Sequence, residues 1–184
     1  MSVDATPETQ QRELARAAEL GAPLRRASKL ASANGLGYAV FGVLTILSSL
    51  PAGIAGLLLG GCLLAVGIAQ RRTAPRLVGG DRGAPVTLAR NELLLLAAIT
   101  AYAAAQMTLL RTNTAAELEM FGDSAGVDVA GLIDTIAGAV YGSVILISVL
   151  YQGGMALYFR RRGPVVERYV REVPGWARET LAKL

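Results

Sequence analysis

At 184 residues, 53% of them apolar, and with a mean hydropathy of +0.44, the chain holds one domain's worth of material and more apolar side chains than ordinary globular composition. It contains no histidine, its one cysteine is Cys62, and its net charge is +4. The commonest general base and transition-metal ligand are thus missing, no intrachain disulfide can form, and zinc, copper or haem would find few ligands, so neither an enzyme nor a cofactor is expected.

The N-terminal segment, residues 1–34, carries five cations (Arg12, Arg16, Arg25, Arg26 and Lys29) against four acids. Thr6-Pro7-Glu8 reads as a helix start, with threonine as the cap and proline in the first turn. That helix is expected to run to about Leu20, with Gly21 as its stop and Pro23 just beyond. A second short piece, Leu24–Ala33, mixes Arg25, Arg26 and Lys29 with Leu24, Ala27, Leu30 and Ala31, the composition of a helix lying in a membrane interface. The first long apolar run starts only after this polar stretch, which predicts an uncleaved anchor rather than a secretory signal peptide.

Four apolar stretches follow and predict transmembrane spans near 35–50, 52–70, 92–110 and 132–159. The first two are short. Residues 30–69, with the turn Pro51-Ala52-Gly53, supply about 55–60 Å of helix, barely enough to cross a core of ~30 Å twice. A re-entrant hairpin would show the same charges, but a turn at membrane depth needs protein to cover its backbone, and two full spans are favoured. Residues 71–91 are expected to form a loop, with Arg71, Arg72, Arg76, Arg82 and Arg90 against Asp81. Its Gly79-Gly80-Asp81-Arg82-Gly83 run lacks the lysine–serine ending of a phosphate cradle and reads as a turn.

The third span opens at Arg90-Asn91-Glu92, where Glu92 is expected to pair with Arg90 or another arginine at the interface. Further along, Gln106 needs a polar partner. The outer acidic loop, 111–131, holds Arg111 with Glu117, Glu119, Asp123 and Asp128, and Thr114 with Glu117 has capping-box spacing. These acids suit a solvated loop or the mouth of a cation path. They do not follow the ligand spacing of a calcium-binding loop.

In the last span Asp134, Gly138, Tyr141, Ile145, Ser148 and Gln152 recur at four-three spacing and share one helix face. An ionisable group in an apolar segment is a functional hypothesis by default, although Asp134 at the outer boundary also fits a solvated interfacial charge. The stripe, with Gln106, either lines a narrow aqueous path or forms a helix–helix seam. Gly138 with Gly142, and Gly56 with Gly60, are small-x-x-x-small pairs that permit close helix approach. Arg160, Arg161 and Arg162 follow Tyr158-Phe159 as interface anchors. The tail, 161–184, repeats Val166, Tyr169, Val170, Val173, Trp176, Ala177, Leu181 and Leu184 at helical spacing, with a break at Pro174-Gly175. It is expected to lie on the membrane surface, anchored by Trp176, or to clasp a neighbouring subunit.

Arginine and lysine flanking membrane spans stay on the cytoplasmic side, which predicts both termini inside, in a plasma membrane of bacterial type. The expected fold is an all-α integral membrane protein of four transmembrane helices, with short amphipathic helices at both termini. The segments are 1–34, a transmembrane domain 35–160, and 161–184. Anionic lipid head groups account for the basic flanks better than nucleic acid does, because no free basic domain is left over. The leading function is a small structural or accessory subunit that forms a homo-oligomer or packs with other membrane-protein subunits. The alternative is a small oligomeric channel or transporter, for cations.

Overall fold

The computed structural model describes the backbone of residues 7–50, 54–125 and 129–182, and the side chains of these except for 110–125, 129, 130, 133 and 182. The described residues form six helices: α1 (Pro7–Ser49), α2 (Ile54–Gly79), α3 (Ala84–Ala125), α4 (Val129–Arg160), α5 (Gly163–Glu172) and α6 (Gly175–Ala182). The protein is all-α, and four of the helices are long and apolar enough to cross a membrane. They run up and down, with α1 packed along α2, α3 along α4, and the two hairpins joined through α2 and α3. Residues from 17–31, 74–89 and 156–177 share one buried cluster, so the arginine-rich segments gather at one end of the bundle.

The helices are longer than the spans read from the sequence. The expected stop at Gly21 is not there: α1 is unbroken for 43 residues, through both Gly21 and Pro23. Tertiary packing overrides the breakers. At Gly21 a Cβ would stand 3.3 Å from the ring of Tyr169, so this glycine is a notch that receives an aromatic side chain from α5. In the turn before Pro23, the Arg25 guanidinium donates a hydrogen bond to the carbonyl of Ala18.

The expected loop 71–91 shrinks in the same way. Helix α2 continues through Pro75 to Gly79, and α3 already starts at Ala84. The turn between them is a Schellman motif, in which Gly80 N–H bonds to the Leu77 carbonyl and Asp81 N–H to that of Arg76. Gly80 supplies the left-handed conformation it needs, at φ 83°. Asp81 then accepts a bond from the N–H of Gly83 at 2.8 Å. The outer loop 111–131 is likewise corrected: α3 stays helical to Ala125 through the strong helix formers Ala115, Ala116, Glu117 and Leu118, and α4 begins at Val129. The capping pair Thr114 and Glu117, and the side chains of Glu119, Asp123 and Asp128, lie outside the described residues.

Beyond the arginine triplet, the tail breaks at Val173-Pro174 as its sequence implies. Much of its apolar face packs within this chain. Val166, Tyr169, Val173 and Ala177 are all nearly or fully buried against this chain's own α1, α2 and their surroundings. An ion pair from Arg16 to Glu172, at 3.1 Å, ties α5 to α1, and Arg168 bonds the same carboxylate at 2.9 Å. Trp176 remains 42% exposed. The basic end is therefore a packed helical head with Leu24, Leu77, Leu88, Phe159 and Tyr169 at its centre.

A different rule governs the α1–α2 contact away from the head. Gly35 and Gly42 on α1 meet Gly67 and Gly60 on α2 in antiparallel register, and farther out Ser49 meets Gly56. A Cβ at Gly67 would stand 2.6 Å from the carbonyl oxygen of Gly35 and from the amide nitrogen of Ala39. One at Gly42 would stand 2.7 Å from the amide nitrogen of Leu64. Backbone here touches backbone. In lipid, where no hydrophobic force drives helices together, such close approach is a main source of association. Gly61, one residue off the seam, meets nothing within 4 Å. The two glycines should thus respond oppositely to alanine. Gly67→Ala should destabilise by about 1–3 kcal/mol through overpacking, whereas Gly61→Ala should be neutral or stabilise by up to ~1 kcal/mol through helix propensity. Thermal unfolding in mild detergent measures both.

Candidate functional site

Just inside the head, all four long helices turn polar side chains toward one another. Asn34 and Tyr38 sit one turn apart on α1, Gln70 and Thr73 on α2, Asn91 and Glu92 on α3, and Ser148, Tyr151 and Gln152 on α4. The centre is Glu92, with no exposed surface at all. The hydroxyl of Tyr38 donates to its Oε2 at 2.9 Å, and the amide of Gln70 donates to its Oε1 at 2.6 Å. Asn91 donates a long bond of 3.5 Å to the Gln70 carbonyl oxygen. On the other side, the Tyr151 hydroxyl donates to Asn34 Oδ1 at 3.1 Å, which brings α4 into the network.

The local sequence explains the convergence. The glycine seam lets α1 and α2 approach until a Cβ at Gly35 would stand 3.0 Å from that of Gln70. That approach puts Gln70 beside the turn of α1 that carries Asn34 and Tyr38. Below the cluster, Tyr38 packs with Val66 and Leu95, and Cys62, Leu63 and Ile99 close around them. The cluster is thus roofed by the head and floored by apolar side chains. In that setting each hydrogen bond is strengthened and each missing one is costly.

The partners of Glu92 correct the expected ion pair. No arginine reaches it; among the described residues its partners are neutral donors from α1 and α2. Arg90 is exposed, on the far side of the helix. Among the described residues, Gln152 Oε1 in this neighbourhood is buried without a hydrogen-bond partner.

The stripe read from α4 is brought into the bundle only in part. Ser148 and Gln152 are each 6% exposed and turned inward. Gly138 and Tyr141 are half-buried, and Asp134 is exposed at the opposite end of the span from Glu92. Gln106 on α3 is half-buried. Gly56 and Gly60 lie in the α1–α2 seam, whereas a Cβ at Gly138 or Gly142 would meet nothing within 4 Å. Arg160 and Arg161 are exposed, and Arg162 lies over the ring of Tyr158, 4.3 Å from its centroid.

Asn34, Tyr38, Gln70, Thr73 and Tyr151 are members that sequence reading passed over, and Asn91 was read only as part of the opening of the third span. A signal was present: Glu92 is the one acid outside the charged flanks other than Asp134, and an acid inside a span calls for polar residues at the same depth on other helices. No known protein family describes this chain, and no curated protein or solved structure is significantly similar to it.

Removing the carboxyl group separates its structural weight from that of its charge. Glu92→Leu strands the Gln70 amide and the Tyr38 hydroxyl, at about 1–3 kcal/mol for each buried unpaired group. Glu92→Gln keeps an acceptor and should lose much less. The expected order of melting temperature in detergent is parent, then Glu92→Gln, then Glu92→Leu, with Tyr38→Phe about 1 kcal/mol below the parent.

Proposed function

We propose that this chain is a membrane-embedded structural subunit, a four-helix scaffold that packs against further transmembrane helices in a homo-oligomer or a larger complex. The observation that carries this reading is a contrast between two sets of glycines. Those of the α1–α2 seam are filled by backbone from the partner helix, while Gly138 and Gly142 on α4 face open space. Small residues in a membrane helix favour close contact with another helix over contact with lipid. A glycine face with no occupant among the described residues suits a helix from outside. In this reading the positive-inside rule puts the arginine-rich flanks, and with them both ends of the chain, on the cytoplasmic side of a bacterial-type plasma membrane. The polar cluster, in this reading, locks the relative rotation of the four helices and so fixes the outward-facing surface.

One observation favours a second reading, a small channel or transporter for cations. Glu92 is a buried acid held by neutral donors only, and intramembrane acids recur in ion and proton pathways. Glu92 then replaces Asp134 as the ion-handling group.

Cysteine cross-linking distinguishes the two. With Cys62→Ala as background, Gly142→Cys should form a specific adduct in native membranes, with a second copy or another membrane chain, more efficiently than Leu44→Cys on the outward face of α1. Gly142→Leu should shift the purified protein toward the monomer by native mass spectrometry while its melting temperature holds. A protein that stays monomeric and uncross-linked overturns the scaffold reading. Cation flux in liposomes that Glu92→Gln abolishes would establish the transport reading instead.

A further inference from the structure

Between α3 and α4, on the outer surface of the bundle next to the head, lies an apolar groove of about 630 Å3. Leu93 forms one wall, Leu150 and Leu157 stand up from α4, and Gly153 and Gly154 form the floor between them. Leu150 and Leu157 are 67% and 58% exposed, and a Cβ at either glycine would meet nothing within 4 Å. The groove therefore exists because two consecutive side chains are missing between two large ones. Arg160 closes its head-side end.

Three features identify the occupant. The volume falls within the roughly 300–1,000 Å3 of small-molecule clefts. Its length along α4, from Leu150 to Arg160, is about 15 Å, half of a ~30 Å hydrocarbon core and so the depth of a single leaflet. Its charge is confined to the end where the chain changes from apolar to arginine-rich. Among the described residues Arg160 has no acidic partner, and Arg90, three residues before Leu93, is exposed and likewise has no acidic partner.

We propose that this groove binds one acyl chain of an anionic phospholipid, with the lipid phosphate held by Arg160. A guanidinium matches a phosphate through paired N–H donors, and basic pockets between membrane helices on the positive side recognise anionic head groups. A partner helix would need a contact longer than one leaflet and has no use for a cation at one end. This site is independent of the helix contact assigned to Gly138 and Gly142, which lies farther from the head.

The test uses the full-length purified protein, stripped of lipid in detergent and offered phosphatidylglycerol or phosphatidylcholine with identical acyl chains. Native mass spectrometry counts the lipids retained. The parent should retain phosphatidylglycerol over phosphatidylcholine by about fivefold, the worth of one arginine near an anionic surface. Arg160→Gln should bring the two lipids level. Gly153→Leu should fill the groove and lower retention of both, with helix content and melting temperature held or raised because its side chain enters open space. Equal retention of the two lipids by the parent overturns the proposal. So does a preference that survives both variants, or a groove found covered by a second copy that Gly153→Leu releases without any change in bound lipid.

Discussion

Backbone contact between α1 and α2 is the constraint on which the rest depends. The carbonyl of Gly35 stands where a Cβ of Gly67 would be, and the carbonyl of Gly42 where a Cβ of Gly60 would be. That interlocking fixes the register of the two helices. With the register fixed, Gln70 lies beside Asn34 and Tyr38, and Glu92 of α3 has its two donors within reach. The polar cluster is thus a consequence of the seam. Moving α2 outward by the width of one methyl group would lengthen the bond from Gln70 to Glu92, and a buried acid with a donor withdrawn costs more than it contributes when fully paired.

Two packing regimes meet at this level. In the head, large side chains such as Leu24, Leu77, Phe159 and Tyr169 are fully buried, as in a water-soluble core, and an ion pair ties α5 to α1. In the apolar part the helices bury little: Leu44, Leu47, Leu58, Leu146 and Ile147 face outward. Leucine gains nothing there by leaving lipid for protein, so the seam must be built from glycine and from hydrogen bonds. The network around Glu92 lies at the boundary between the regimes. It couples the head, which water can hold together, to the hairpins, which water cannot.

The sequence showed the helical class, the four apolar segments and the gathering of arginines at alternate ends, because composition and charge along a single chain encode all three. It concealed the extent of the helices. Gly21, Pro23 and Pro75 carry the local signature of helix ends, and that signature assumes a helix without neighbours. In the protein the ring of Tyr169, 148 residues away in sequence, occupies the notch at Gly21 and holds α1 continuous. The site was hidden for a related reason. Periodicity groups residues on one helix, as it grouped Ser148 and Gln152, which do turn inward. The meeting of Tyr38, Gln70 and Glu92 depends on the rotation of three helices about their own axes, and no single helix's period contains it.

The two hairpins also differ in reach. Ala74, Leu77, Ala156 and Phe159 belong to one buried cluster, so α2 and α4 can be measured from a common level. From Leu77 to the first residue of α2, Ile54, is about 35 Å of helix, whereas from Phe159 to the first residue of α4, Val129, is about 45 Å. Helix α4 therefore extends some 10 Å beyond the start of α2. Measured from Phe159, Gly142 lies at about 26 Å and Gly138 at about 32 Å, both still within the length of α2. The openness at Gly138 and Gly142 is therefore set by the direction their face takes and not by length, since none of the described residues comes within 4 Å of a Cβ built there. The same offset leaves Asp134 beyond the reach of the polar network, so the acid at the far end of α4 and the acid at the head of α3 belong to separate environments.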